Sequence, residues 1–301
     1  MIAIIAAPSN LGLRPPEPGG VPGTAKAPEA LREAGLWRAL EADGARDAGV
    51  VLPGRYVDDE GRRPPGHARN EPRLLAHARA LSSRIRATIE AGDAPLVIGG
   101  DCSLLLGAGH ALAGTGAGLV HVDGHTDFRH PGNVASWGAV AGEDLAVAIG
   151  RHRAELADLD GRGPYFDAAR SVHVGCRDDD EYLGEARDRL AEVIPASLAR
   201  RLGMPETAAR AMTAADGRGG YWLHVDVDVL DEAVMPAVDS PEPGGLAAAD
   251  LVDLLRALAP RAVGAEITVF DPDLDPDGRY AAVLRDVIVE GCRDLGRARS
   301  D

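Results

Sequence analysis

Three short segments of the sequence bring together carboxylates, imidazoles and a thiol, and each follows a run that predicts a β-strand. The segments are Gly99-Gly100-Asp101-Cys102-Ser103, His121-Val122-Asp123-Gly124-His125-Thr126-Asp127 and His224-Val225-Asp226-Val227-Asp228-Val229-Leu230-Asp231. In open α/β sheets, ligands bind in the crevice beyond the carboxyl ends of the strands. We therefore expect these groups to converge on one site.

Side chains two positions apart in an extended segment point to the same face. This spacing places four side chains of the second segment together, and three of the third. They are His121, Asp123, His125 and Asp127, and His224, Asp226 and Asp228. Buried carboxylates are costly unless cations neutralise them, and this donor set suits a pair of Mn²⁺-like ions that turn a shared water into hydroxide. For any single Asp, the alternative is a helix cap or a turn.

Alternating strand and helix patterns predict how these segments are held. Such alternation is typical of a parallel sheet with helices on both faces. Predicted strands are 2–7, 94–98, 118–122, 171–174, 221–225 and 262–267. Apolar residues at helical spacing predict one helix over 74–89, with Asn70 as its cap and Pro72 in its first turn, and another that begins near Asp250. The irregular stretches 13–25 and 61–66 do not resemble domain linkers, so we expect one domain over residues 1–301.

Composition excludes several classes of function. The chain of 301 residues has 32 Lys+Arg against 47 Asp+Glu and a net charge of −15, which argues against nucleic acid or an anionic membrane as a partner and favours small cationic substrates. Lys26 is the only lysine, so lysine chemistry is nearly excluded. Three scattered cysteines indicate a reducing cytoplasm, and no apolar run approaches the roughly 20 residues of a membrane span.

The three segments resemble, in order, the signature motifs of the ureohydrolase family, which includes arginase, agmatinase, guanidinobutyrase and formimidoylglutamase. The loop 236–246 also resembles the family loop that follows the third motif. The resemblance implies a three-layer α/β/α sandwich with a mostly parallel sheet, a pair of manganese ions and hydrolysis of a guanidino or related amidine group, usually with release of urea. It also implies a homo-oligomer, a trimer or a hexamer.

The resemblance assigns roles to individual residues. Asp123 and Asp226 resemble the carboxylates that bridge the ions. Asp127 resembles a ligand of one ion, and His125 with Asp228 resembles the ligands of the other. Two more residues carry expected substrate contacts: Glu266 near the guanidinium and Asp180 near the amino end. The alternatives are a buried acid paired locally with Arg for Glu266, and a solvated turn for Asp180.

Two departures from the family pattern bear on the chemistry. The first motif has Cys102 where the family has histidine, and a thiolate ligand would leave the ligand set near −1. We therefore predict a bridging water that is harder to deprotonate, a weaker preference for manganese over zinc, cobalt or iron, and sensitivity to oxidation. The alternative is that Cys102 stays a buried thiol. Trp137-Gly138 is the nearest counterpart of the family's His-Gly proton shuttle, so His130 and His224 are the candidate replacements.

These observations predict a cytoplasmic metal-dependent amidinohydrolase. Its substrate would be arginine, Nω-hydroxyarginine, agmatine or a guanidino acid, and a metal-bridging hydroxide would release urea or hydroxyurea. One alternative is a formimino hydrolase that releases formamide. Another is a catalytically weak family member that serves as a binding or assembly protein.

Overall fold

Eight strands form one sheet in the computed structural model, which describes residues 1–298. They are β1 (Ile2–Ala7), β2 (Arg46–Val50), β3 (Ala94–Gly99), β4 (Gly118–Val122), β5 (Ser171–Val174), β6 (Glu192–Ile194), β7 (Tyr221–Asp226) and β8 (Ala262–Thr268). Their order across the sheet is β2-β1-β3-β8-β7-β4-β5-β6, and every pair is parallel. The predicted α/β fold class is confirmed.

Helices cover both faces of the sheet. They are α1 (Ala27–Glu33), α2 (Leu36–Ala42), α3 (Glu71–Glu90), α4 (Leu104–Leu112), α5 (Asp144–Ala148), α6 (Ala154–Ala157), α7 (Leu183–Arg189), α8 (Ala196–Leu202), α9 (Met204–Ala215), α10 (Ala248–Leu258) and α11 (Arg279–Cys292). Consecutive residues of one strand, such as Ile4 and Ile5 of β1, belong to two separate hydrophobic clusters. Ile4 packs in a cluster with α10 and α11, and Ile5 packs in a cluster with α3 and α4. Two cores on opposite faces give the three layers.

The predicted strands agree with the observed ones to within one residue at each end. The two edge strands, β2 and β6, were not predicted. The residues of β2 are partly or largely exposed, so it lacks the apolar run that marks a buried parallel strand. The predicted cap of α3 needs a correction. Asn70 precedes the helix with a φ of 50°, but its side chain does not cap and instead accepts a hydrogen bond from the Val57 N–H.

Glycines let the strand ends approach one another around the predicted site. A Cβ at Gly124 would lie 2.6 Å from the Asp228 carbonyl oxygen, and one at Gly100 would lie 2.2 Å from the Ser9 carbonyl oxygen. Both distances are far shorter than a carbon–oxygen contact allows. These two positions therefore bring the ends of β3 and β4 close to the neighbouring loops.

None of the helices within residues 1–298 has both the length and the apolar character needed to cross a membrane. The cytoplasmic location and the trimer or hexamer stay predictions.

Leu254 tests the packing of α10, because its side chain is fully buried in the cluster formed with α11 and the sheet. Leu254→Ala should lower the free energy of unfolding by about 2–5 kcal/mol, since it removes buried apolar surface and leaves a cavity. Urea denaturation followed by circular dichroism measures this loss. The same substitution at Leu52, which is 72% exposed, is the control and should change stability by less than about 0.5 kcal/mol. Equal effects of the two substitutions would contradict the packing described.

Candidate metal centre

The carboxyl ends of β3, β4 and β7 meet at one edge of the sheet, with the end of β8 between β3 and β7. Asp226 ends β7, Asp123 follows β4, and Cys102 lies on the turn after β3. Cys102 and Asp123 are fully buried, and Asp226 is nearly so. Three segments that are distant in sequence therefore place their polar groups in one region.

One group of possible ligands consists of Asp123, His125 and Asp228. One ligand atom from each lies within 4.8 Å of the other two. The His125 Nδ1 is 2.8 Å from an Asp228 carboxylate oxygen and 4.0 Å from an Asp123 carboxylate oxygen. The Gly124 N–H donates to the other oxygen of Asp228, and so orients that carboxylate.

A second group consists of Cys102, Asp123 and Asp127, again within 4.8 Å of one another. The Cys102 Sγ is 2.8 Å from the Asp226 Oδ2 and 3.0 Å from the Thr268 Oγ1. Asp127 has a φ of 47°, a left-handed conformation that is uncommon for residues other than glycine. Asp123 belongs to both groups. The two adjoining groups thus contain five of the six predicted ligand residues, and the sixth, Asp226, contacts the second group through Cys102.

The carboxylates of these sets repel one another in a buried environment. Burial, with added repulsion from the neighbouring aspartates, raises the pKa of Asp123, Asp127 and Asp226 well above the ordinary value. Burial and the charge of Asp226 likewise raise the pKa of the Cys102 thiol. The Asp123 Oδ2 is buried and has no hydrogen-bond partner. Carboxylates, an imidazole and a thiol held this close together fit a pair of divalent ions that would take the place of the protons.

The interaction between His125 and Asp228 raises the pKa of His125 and lowers the pKa of Asp228. Burial disfavours the charged imidazole, but the hydrogen bond to Asp228 and the charges of Asp228 and Asp127 outweigh it and raise the pKa of His125 to about 10. Burial would also raise the pKa of Asp228, yet hydrogen bonds from His125 and Gly124 hold it below its ordinary value. The pair is therefore an imidazolium and a carboxylate until a cation displaces the proton.

Glu266 does not lie where the resemblance implied. Its side chain is fully buried, and its Oε1 lies 2.8 Å from the Nδ1 of His224 on the neighbouring strand. The residue of this chain segment that lines the cavity is Val269, just after β8, which has a φ of 74°. Glu266 therefore positions His224 and does not face a substrate. Because β8 continues for two residues beyond Glu266, this side chain lies one layer below the cavity.

The other candidate residues have structural partners. The His130 Nε2 lies 3.0 Å from Glu185, and its Nδ1 accepts a hydrogen bond from the Gly132 N–H. Asp180 accepts hydrogen bonds from the N–H and hydroxyl of Thr126, although it also lines a depression of about 680 Å³ beside His125. Trp137 packs edge-on against His152, away from the ligand groups. Neither His130 nor Trp137-Gly138 lines the cavity over these groups.

Three cavity or site residues were not predicted. Asp144 begins α5 and is fully buried, within reach of Cys102 and His224. Arg129 and Asp239 line a cavity of about 560 Å³ that opens over Asp127, Asp226 and Asp228. Asp239 lies in the loop 236–246 that the resemblance singled out, and Arg129 follows Asp127 by two positions. Asp144 had no such signal, because it lies on a separate helix.

A parallel α/β sheet that gathers acid, imidazole and thiol groups at its strand ends can hold divalent metal ions. The model of the Arginase family matches residues 1–292, and the chain belongs to that family. Arginase-family members depend on two metal ions, usually manganese, and hydrolyse guanidino C–N bonds. The protein is an amidinohydrolase of this family.

Individual relatives agree with this assignment. Arginase of Brevibacillus brevis is 28% identical over 293 residues, which cover 94% of each chain. The structure of arginase from Bacillus caldovelox superposes with a TM-score of 0.84 at 24% identity, over 97% of each chain. Proclavaminate amidino hydrolase from Streptomyces clavuligerus superposes with a TM-score of 0.72 at 25% identity, over 99% of this chain and 92% of that one.

Binding of divalent ions should release protons near neutral pH. Without metal, His125 holds a proton with a pKa of about 10, and the raised pKa of Asp123, Asp127 and Asp226 favours their protonated forms. Because the metal competes with these protons, its affinity should rise with pH and weaken as the pH falls. Calorimetry of manganese binding in two buffers of different ionisation enthalpy measures the release. Identical heats in the two buffers would contradict it.

Cys102→His should shift metal preference toward manganese, because imidazole is a neutral and harder donor than thiolate. Dialysis against equal concentrations of manganese and zinc, followed by metal analysis, measures the ratio. We expect the manganese fraction to rise several-fold in the variant. Cys292→Ala, at a buried cysteine of α11 outside the ligand groups, is the control and should match the wild type. An unchanged ratio in Cys102→His would show that the thiol is not a ligand.

Proposed function

We propose that the protein hydrolyses the guanidino C–N bond of a substrate that also carries a carboxylate, such as arginine, Nω-hydroxyarginine or a short guanidino acid. The observation that carries this proposal is the position of Arg129. Its side chain is exposed on the cavity wall and makes no ion pair with any residue of the range 1–298. The guanidinium hydrogen-bonds to the Tyr182 side chain but forms no ion pair there, and its positive charge beside the candidate metal centre favours an anionic group on the substrate.

Arg129 lies close to the ligand groups. A Cβ placed at Gly142 would be 3.5 Å from the Arg129 Nη1 and 4.0 Å from the Asp127 Oδ1, so the two groups flank this glycine. A substrate carboxylate held by Arg129 would leave a guanidino group on a short chain within reach of the centre. Agmatine carries an ammonium group and no carboxylate, so Arg129 would repel it.

Asp239 is placed to hold the guanidinium of the substrate, the role first assigned to Glu266. It lines the cavity together with Asp226 and Asp228. Its side chain is exposed to the cavity, where desolvation by the surrounding atoms, with repulsion from Asp228, raises its pKa to about 6, so it is still a carboxylate at neutral pH. A charged hydrogen bond from the substrate guanidinium would relieve that repulsion.

We propose that two divalent ions, most simply Mn²⁺, are held by Asp123, Asp127, Asp226, Asp228 and His125, with Cys102 as a further ligand of the ion near Asp127. The donor set with a thiolate also suits Zn²⁺, Co²⁺ or Fe²⁺. When bound, the ions would activate a water for attack on the guanidino carbon. The residues of the chain fix the geometry: the Gly124 N–H orients Asp228, and the His125 N–H orients the Asp123 Oδ1.

Hydrolysis of a formimino group is the second candidate. Arg14 and Arg129 both line the cavity, and two guanidinium groups suit a substrate with two carboxylates. The product distinguishes the candidates, because a guanidino substrate yields urea, or hydroxyurea, and a formimino substrate yields formamide.

Arg129→Ala tests the proposed substrate class. With the metal-loaded enzyme, it should raise KM for carboxylate-bearing substrates by about 10–100-fold, which corresponds to the loss of a charge-assisted hydrogen bond. The turnover of agmatine should hold steady or improve. Product release over arginine, Nω-hydroxyarginine, guanidinobutyrate, agmatine and formimidoylglutamate measures both effects.

Two controls accompany this test. Arg129→Lys keeps the charge and should recover part of the affinity, whereas Arg55→Ala removes an exposed arginine outside the cavity and should change nothing. Equal losses for agmatine and for the acids in Arg129→Ala would contradict the proposal. The absence of any product from the loaded wild-type protein would favour the alternative of a binding or assembly protein.

A further inference from the structure

A row of polar side chains crosses the middle of the sheet, one layer below the candidate metal pair. The register places His173 of β5 beside His121 of β4, His121 beside His224 of β7, and His224 beside Glu266 of β8. All four are fully buried. Central parallel strands are normally apolar on both faces, and unpaired polar groups are costly there. Four buried polar side chains in this position therefore require a stabilising interaction.

Asp144, at the start of α5, faces this row. Its Oδ1 is 3.4 Å from the His121 Nε2, and its Oδ2 is 3.7 Å from the His224 Nε2. The His121 Nε2 is also 3.7 Å from the Asp123 Oδ2. The two imidazole rings stack with centroids 4.5 Å apart, and their Nε2 atoms both face the Asp144 carboxylate. Two nitrogens and two carboxylates thus lie together, with a different oxygen of Asp144 facing each nitrogen.

Three of the convergent atoms lack hydrogen bonds of their own. The Asp123 Oδ2, the Asp144 Oδ2 and the His224 Nε2 are all buried and have no partner. The one hydrogen bond in the cluster, between the His121 Nε2 and the Asp144 Oδ1, is long at 3.4 Å, and the two other nitrogen–oxygen separations are 3.7 Å, beyond hydrogen-bond distance. Ligand atoms of a tetrahedral metal site with bonds of about 2.1 Å lie about 3.4 Å apart. The spacing is thus that of ligands around a cation.

Charge supports the same interpretation. Two divalent ions balance the four carboxylates of the pair, which are those of Asp123, Asp127, Asp226 and Asp228. Asp144 and Glu266 add two more buried carboxylates, and no Lys or Arg forms an ion pair with either within residues 1–298. A third divalent ion would balance these two additional carboxylates.

We propose that the protein holds a third divalent cation below the pair, ligated by His121, His224 and Asp144, with the Asp123 Oδ2 as the fourth donor. One ligand atom each of His121, Asp123 and His224 lies within 4.8 Å of the others, and the same holds for Cys102, Asp144 and His224. Cys102 therefore forms the wall shared with the site above. Glu266 orients His224 through its Nδ1, as carboxylates orient histidine ligands of metals.

Two imidazoles and two carboxylates favour zinc or cobalt at this position over manganese. The role of such an ion is structural, because the four donors would close its coordination and no position would remain open for a substrate. The proposal goes beyond the substrate and reaction discussed above. Binding of this ion does not depend on them.

Metal stoichiometry tests the proposal. The protein, stripped with a chelator and reloaded with zinc, should bind three ions per chain, and Asp144→Asn should bind two. Glu143→Gln is the matched control, because Glu143 is an adjacent buried carboxyl that accepts hydrogen bonds from Gly138 and Ala139 and belongs to neither ligand group. It should still bind three ions.

X-ray absorption of the zinc-loaded wild-type protein is a second measurement that needs no variant to fold. The pair alone has His125 as its one imidazole, so it gives one imidazole for two ions, whereas the three-ion set has three imidazoles for three ions. The average number of imidazoles per zinc should therefore be about twice that of the pair alone. Binding of only two ions by the wild-type protein would overturn the proposal, whatever number Asp144→Asn binds. An average imidazole content equal to that of the pair alone would also overturn it.

Discussion

Mutual repulsion among buried carboxylates is the constraint on which the rest of this structure depends. Asp123, Asp226 and Asp228 lie at the ends of two adjacent strands and are almost fully removed from water. Only cations or protons can hold such groups together. The parallel sheet makes this arrangement unavoidable, because strands that run in one direction deliver their final residues to the same edge.

The interior of the fold could be predicted from the sequence, and the periphery could not. Central strands such as β1 and β4 are buried on both faces, so their apolar runs identify them to within a residue. The edge strand β6 has three residues, two of them only partly buried, and no local pattern sets it apart from a loop. Asn70 has the residue type and position of a helix cap. However, its side chain accepts a hydrogen bond from the Val57 N–H and therefore does not cap the helix.

The candidate site likewise has residues that could be predicted from the sequence and residues that could not. The convergence of residues within one motif, such as Asp123, His125 and Asp127, could be predicted because they follow a strand at regular spacing. The position of Asp144 could not be predicted, because it depends on how the segment between β4 and α5 folds back over the sheet. The role of Glu266 was misjudged because its strand continues for two residues, so its side chain lies one layer below the cavity and bonds to His224.

The position of β8 has a consequence for how the protein is made. This strand is the last in the described chain, yet it lies between β3 and β7 in the middle of the sheet, and its Thr268 contacts both Cys102 and Val225. During synthesis on a ribosome, the first and third motifs can meet only after residues 262–268 have emerged. Because β4 and β7 pair directly, Asp123, His125 and Asp228 can assemble before β8 is made, whereas Cys102 joins them only afterwards, so the two halves of the metal centre form at different times.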